Sequence, residues 1–196
     1  MSEELALKAG AAAPAPGPGT ERAPGPLWHP VAFLAASIGG ALGIIGAAFQ
    51  EFQAGGYLLL PFVGAPIIEE GVKPLGVYLL LIRWPRLLRN QLYTALLCAF
   101  AGLTFGIIES LVYVYVYVSD PSDAFIAWRF SVTLVLHAAA SFTVGLGINK
   151  RVLAWAKGEG PLPKSSRNLY IAGVLLHAAY NTTVVVLALT GVLDLD

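Results

Sequence analysis

Residues 57–82, YLLLPFVGAPIIEEGVKPLGVYLLLI, decide how this chain is read. The stretch is long enough to cross ~30 Å of hydrocarbon as a helix rising ~1.5 Å per residue. Yet Glu69, Glu70 and Lys73 stand at its centre. Its fourteen Leu, Ile, Val and Phe residues, at about −0.45 kcal/mol each, contribute roughly −6 kcal/mol, against roughly +9 kcal/mol for three ionisable groups near the midplane. Such a segment enters a bilayer only if its charges pair, neutralise or face a wet cavity. Glu69 and Lys73 have the i, i+4 spacing of an ion pair in the favoured order. That pairing leaves Glu70 without a local partner of its own. Pro74, which lacks an N–H, also frees the carbonyl of Glu70 at depth. Polar groups placed at this cost in a membrane segment point to function.

The rest of the chain agrees with a membrane solvent. Of 196 residues, 57% are hydrophobic and only 12% charged, about half the charge that a soluble surface needs. Five apolar runs, 31–50, 57–82, 91–118, 125–148 and 169–190, each reach the ~20 residues of a span. Five runs cannot close a barrel, so helices are the only spanning option. The expected fold is all-α: a polytopic transmembrane helical bundle of about five helices. The alternating VYVYVYV at 112–118 ends a long apolar run and is read as the interfacial end of a helix. Residues 1–30, rich in Ala, Pro and Gly, are expected to form a disordered tail without a signal-peptide core. Residues 31–196 are expected to form the membrane domain. A single cysteine, Cys98, excludes an intrachain disulfide and leaves the redox compartment unread.

Basic residues orient the bundle. Lys8 and Arg22 lie in the tail, Arg83, Arg86 and Arg89 in the 83–90 loop, and Lys150, Arg151, Lys157, Lys164 and Arg167 in the 149–168 loop. Lys73 and Arg129 fall within helices, and the opposite loops, with the C-terminal residues, carry only Glu51, Asp120, Asp123, Asp194 and Asp196. The positive-inside rule then places the N-terminus inside and the C-terminus outside. Small residues at four-residue spacing, Gly39 and Gly43, Gly102 and Gly106, Ser141 and Gly145, offer close helix packing.

Glu109, His137, His177 and Asn181 add polar groups on the other helices. Counted inward from the outer ends, Glu69 and His137 lie at about 18 Å, Glu109 and Asn181 at about 14 Å, and His177 at about 20 Å. Four helices therefore bring polar groups to nearly one depth. A lone buried histidine is usually a satisfied core residue, but three glutamates, two histidines and an asparagine in one layer are harder to assign to packing. No H-E-x-x-H is present, nor a Ser–His–acid set or aspartate pair suited to intramembrane proteolysis. What remains is water activated by a carboxylate, because adjacent glutamates in low dielectric do not both ionise cheaply. Imidazole and amide groups would stabilise the oxyanion.

Glu69-Glu70-Gly71-Val72-Lys73 resembles the E-E-x-x-K motif of the PrsW family, in the CAAX-protease and bacteriocin-processing superfamily of glutamate-dependent intramembrane proteases. Phe105-Gly106-Ile107-Ile108-Glu109 is similar to its F-x-x-x-E motif, and His137 and His177-x-x-x-Asn181 to its later histidine motifs. The resemblance spans 57–190 and implies an intramembrane endopeptidase. It makes Glu69 the base and Glu70 its partner, two roles that are exchangeable. Glu109 and His137 would hold the water, His177 and Asn181 would form the oxyanion hole, and Lys73 would be a charge partner. Five spans would make a minimal version without an added sensing domain.

The resemblance requires no cofactor. Zinc, held among Glu69, Glu109, His137 and His177, is the alternative within the same activity. A proton-coupled transporter is the alternative from another class, disfavoured by the lack of a repeat; a non-catalytic scaffold or immunity protein is a third. The expected partners are the lipid bilayer and a membrane-tethered protein or peptide, with no nucleic acid. The expected location is a prokaryotic plasma membrane.

Overall fold

A computed structural model of the chain describes residue 25 and residues 28–54 and 60–191, without the side chains of 48–54, 60 and 61. Most of the expected tail, the start of the 57–82 run, the Glu51 side chain, Asp194 and Asp196 lie outside that description. The described residues are almost entirely helical and contain no strand. In chain order the helices are α1 (Trp28–Ala54), α2 (Ala65–Val72), α3 (Leu75–Arg83), α4 (Gln91–Val112), α5 (Asp123–Trp128), α6 (Leu134–Gly145), α7 (Lys150–Ala156) and α8 (Lys164–Leu189). π-Helical turns lead into α2 (Leu60–Gly64), continue α4 (Tyr113–Tyr117) and join α5 to α6 (Arg129–Thr133).

Among the described residues, four stretches are long and apolar enough to cross a membrane: Trp28–Ala47, Gln91–Tyr117, Asp123–Gly145 and Lys164–Leu189. The remaining apolar run is helical but divided over its described residues, with α2 and α3 separated by Lys73 and Pro74. Proline removes the amide that would continue the ladder, so the break falls where the charges are densest. α1 begins at Trp28, inside the stretch read as tail, with Pro30 in its first turn, where a missing N–H costs nothing. The 149–168 segment contains the short helix α7, which the polar composition of that loop did not announce. The alternating tyrosines of 113–117 continue α4 as helix, with Tyr115 and Tyr117 exposed. Asn90 caps α4 by accepting from the Tyr93 amide at 2.8 Å, and Ser122 caps α5 by accepting from Phe125 at 3.1 Å, as residues of these types do.

Close backbone approaches hold the bundle together. α1 crosses α3 where Gly39 faces Gly76; a Cβ on Gly39 would overlap the Gly76 amide, and one on Gly76 the Ala35 carbonyl. α4 crosses α6 where Gly102 and Gly106 face His137 and Ser141, again with no room for a Cβ. Small-residue crossings of this kind substitute for the hydrophobic drive that lipid does not supply. The apolar core, including Ala36, Val77, Leu80, Leu97, Ala101 and Val144, occupies one part of the bundle. The polar groups collect in another, among α2, α4, α6 and α8.

Candidate active site

Each polar side chain reaches the interior from a helix whose local sequence fixes its direction. On α2, Glu69 and Glu70 precede the break, and Lys73 is one turn on, so all three point into the bundle; each is nearly or fully buried. The Lys73 ammonium donates to Glu70 Oε1 at 2.6 Å and to His137 Nδ1 at 2.8 Å, and stands 3.2 Å from Glu69 Oε2. Its Nζ also lies 4.4 Å from the centre of the Phe105 ring. The expected Glu69–Lys73 ion pair is present, and the expectation that Glu70 lacks a local partner is corrected. Glu70 is the closer partner of Lys73, at i, i+3, and Glu69 the looser one at i, i+4.

Donor and acceptor roles follow from the chemistry of these partners. An ammonium only donates, so His137 Nδ1 carries the lone pair and its Nε2–H donates to Glu109 Oε2 at 3.0 Å. Glu70 is fully engaged: Oε1 accepts from Lys73 and from His177 Nδ1 at 3.0 Å, and Oε2 accepts from Ser141 Oγ at 3.0 Å. His177 therefore presents the Nε2 lone pair, 3.9 Å from Glu69 Oε2. The two imidazole rings meet edge to face with centres 5.0 Å apart. Among the described residues, Glu69 Oε2 and Arg129 Nε are the buried side-chain polar atoms without a hydrogen bond. The 3.2 Å approach of Lys73 to Glu69 is an ion-pair separation without hydrogen-bond alignment.

The expected layer of polar groups is real in space. Glu69, Glu70, Lys73, His137 and His177 form one connected cluster, and Glu109 joins it through His137. Asn181, half-buried, follows His177 by one turn of α8. Two members were missed by sequence reasoning. Ser141 stands four residues after His137, a spacing that matches His177 and Asn181, but it was read only as a small packing residue. Arg129 was noted as a basic residue within a helix; its Nη2 donates to Glu109 Oε2 at 2.7 Å. With three carboxylates against Lys73 and Arg129, and neutral imidazoles, the cluster carries one excess negative charge.

A metal is a specific question for this set. Glu69, His137 and His177 each offer a donor atom, all within 4.8 Å of one another, and one carboxylate with two imidazoles suits zinc. Two of the three fit. Glu69 Oε2 has no hydrogen bond to surrender, and His177 is held at Nδ1 by Glu70, the carboxylate support typical of metal-bound imidazoles. His137 fits on condition that it releases Lys73 or Glu109, which engage both of its nitrogens.

No curated protein and no solved structure matches the chain. The family model described as PrsW family intramembrane metalloprotease matches residues 26–194, nearly the whole chain and every residue of the cluster. The match covers well over half of the chain, and the chain belongs to the PrsW family of intramembrane proteases.

Proposed function

We propose that this protease is an endopeptidase that cleaves membrane-tethered proteins or peptides with water activated by Glu69. One observation carries the reading: Glu69 Oε2 is buried, has no hydrogen bond and faces His177 Nε2 across 3.9 Å. A water seated between them would touch both atoms. Glu69 takes its proton as the oxygen attacks the carbonyl carbon, and returns it to the leaving amide nitrogen. Glu70 does different work, holding Lys73, His177 and Ser141 in place. Lys73 supplies the positive charge that lets two carboxylates share one site. Glu109 fixes His137, which in turn orients Lys73.

The oxyanion falls to His177 and Asn181. With its Nδ1–H committed to Glu70, His177 donates from Nε2 only when doubly protonated, so the test falls on Asn181, one turn further along α8. Asn181→Ala is expected to lower kcat by roughly 10²–10³ with KM nearly unchanged. A variant that turns over normally and melts earlier in detergent would make Asn181 a packing residue.

A second reading has its own observation, the donor set of Glu69, His137 and His177. Zinc there would act as a Lewis acid and generate hydroxide at neutral pH, while Glu70 would still orient His177. The deciding experiment uses purified protein in proteoliposomes with a panel of dual-labelled single-span peptides. Cleavage within the span that persists after 1,10-phenanthroline treatment and dialysis is expected. Loss on stripping, restored by zinc alone, would transfer the function to the metal reading. No cleavage of any span would remove both.

A further inference from the structure

Arg129 is a half-buried arginine inside an apolar span, six residues beyond the start of α5 or about 9 Å along it. A charge at such a depth is costly and usually functional. Three contacts to it come from α4 and the π-helical turn that continues it. Glu109 accepts from its Nη2 at 2.7 Å, Ser110 Oγ donates to its backbone carbonyl at 3.0 Å, and the Tyr113 ring lies 4.0 Å beneath the guanidinium carbon. The π-helical turn Arg129–Thr133 begins at this residue, a local distortion often found at functional sites. The Ser110 bond supplies a partner for a carbonyl at that turn.

What this seat does is read at Glu109 Oε2, which takes both Arg129 Nη2 and His137 Nε2. A carboxylate with a fixed counter-charge remains an acceptor. While it does, His137 keeps its proton on Nε2 and its lone pair on Nδ1, 2.8 Å from Lys73. Without Arg129, Glu109 would be held by one neutral imidazole alone, and its carboxylate would be free to turn away from His137. His137 would then be free to change tautomer and put an N–H against the Lys73 ammonium. Such a contact would push Lys73 away from the glutamates.

We propose that Arg129 is a positioning residue for proteolysis: through Glu109 it fixes the tautomer of His137 and so the place of Lys73 between Glu69 and Glu70. The proposal rests on the glutamate reading above, and acts at one remove from the reacting atoms. Partners of this kind change activity by about 10–100-fold when removed.

The chain has three histidines, so ¹⁵N-histidine-labelled protein in lipid nanodiscs, with His29→Gln for assignment, reports the His137 tautomer without any substrate. The expected result is a protonated Nε2 and an unprotonated Nδ1 in the wild type and in Arg129→Lys, and loss of that pattern in Arg129→Met and Glu109→Gln. With the single-span peptides, Arg129→Met is expected to lose about 10–100-fold in kcat with KM within about twofold, and Arg129→Lys to recover most of it. Arg129→Met in the Glu109→Gln background is expected to add no further loss. An unchanged tautomer in Arg129→Met overturns the proposal, as does an altered tautomer with wild-type kcat, or additive losses in the double variant. If the wild type cleaves nothing, the glutamate reading fails while the spectra still decide whether Arg129 sets the tautomer.

Discussion

Glu69→Gln is expected to reduce cleavage by roughly 10²–10⁴-fold in kcat, the share that a positioned general base supplies, while the bundle stays folded. The substitution keeps shape and removes the buried carboxylate oxygen that, among the described residues, has no hydrogen bond. It also removes the excess negative charge of three glutamates against Lys73 and Arg129, so the folded state should lose little and gain some relief. Glu70→Gln is expected to be as inactive for a different reason. Its oxygens serve Lys73, His177 and Ser141, and an amide offers only one oxygen to those three donors. The two variants should therefore separate in stability, with Glu69→Gln melting at or above the wild type and Glu70→Gln below it. Turnover in proteoliposomes and thermal melts in detergent measure both. Wild-type turnover in both variants would end the carboxylate mechanism, and wild-type turnover in Glu69→Gln alone would move the base to another group.

How much of this was legible without coordinates depends on the range of the interaction. The helical class followed from composition and run length, and the gathering of Glu69, Glu109, His137 and His177 from counting residues along spans. Depth is a one-dimensional property that a sequence encodes directly. Azimuth is not. Nothing in the spacing of Glu69, Glu70 and Lys73 says that the ammonium lies nearer Glu70, because the choice is made by His137 on α6, 64 residues away. Arg129 was visible as a charge in an apolar run, the same signal that singled out the glutamates, but its partner Glu109 is on another helix. Ser141 was passed over because a small residue in a span has a packing explanation ready. The division between α2 and α3 was half legible: Pro74 announced a freed carbonyl, and the structure shows a full interruption there. Gly102 and Gly106 were read as packing alone, yet they are what lets His137 lie against α4.

Lys73→Met is expected to be the most destabilising single change in the cluster, by about 3–5 kcal/mol, the usual cost of stripping a buried charge of its partner. The ammonium is completely buried and is shared by Glu70 at 2.6 Å, His137 Nδ1 at 2.8 Å and Glu69 at 3.2 Å. Methionine fills similar space and packs well against Phe105, so the loss should be electrostatic rather than a cavity effect. It leaves adjacent carboxylates facing each other in low dielectric and a lone pair on His137 with no donor. Water cannot easily repair that, because the surroundings are apolar helix. The pairing makes a sharper claim than the single variant. If the cost arises from the exposed anions, adding Glu70→Gln to Lys73→Met should recover part of the stability, although Glu70→Gln is destabilising in the wild type. Such a reversal of sign is a coupling that independent sites do not show. Unfolding measured in one detergent for the four proteins of the cycle decides it. Additive losses, or a Lys73→Met protein that unfolds with the wild type, would mean that the glutamates do not need this cation. The same variant tests the metal question from the other side. Releasing His137 Nδ1 from Lys73 completes the donor set with Glu69 and His177, so dialysed Lys73→Met protein is expected to retain more zinc than the wild type does. If the wild type already holds one zinc per chain after dialysis, Lys73 does not occupy the place of the cation and the metal reading gains the site.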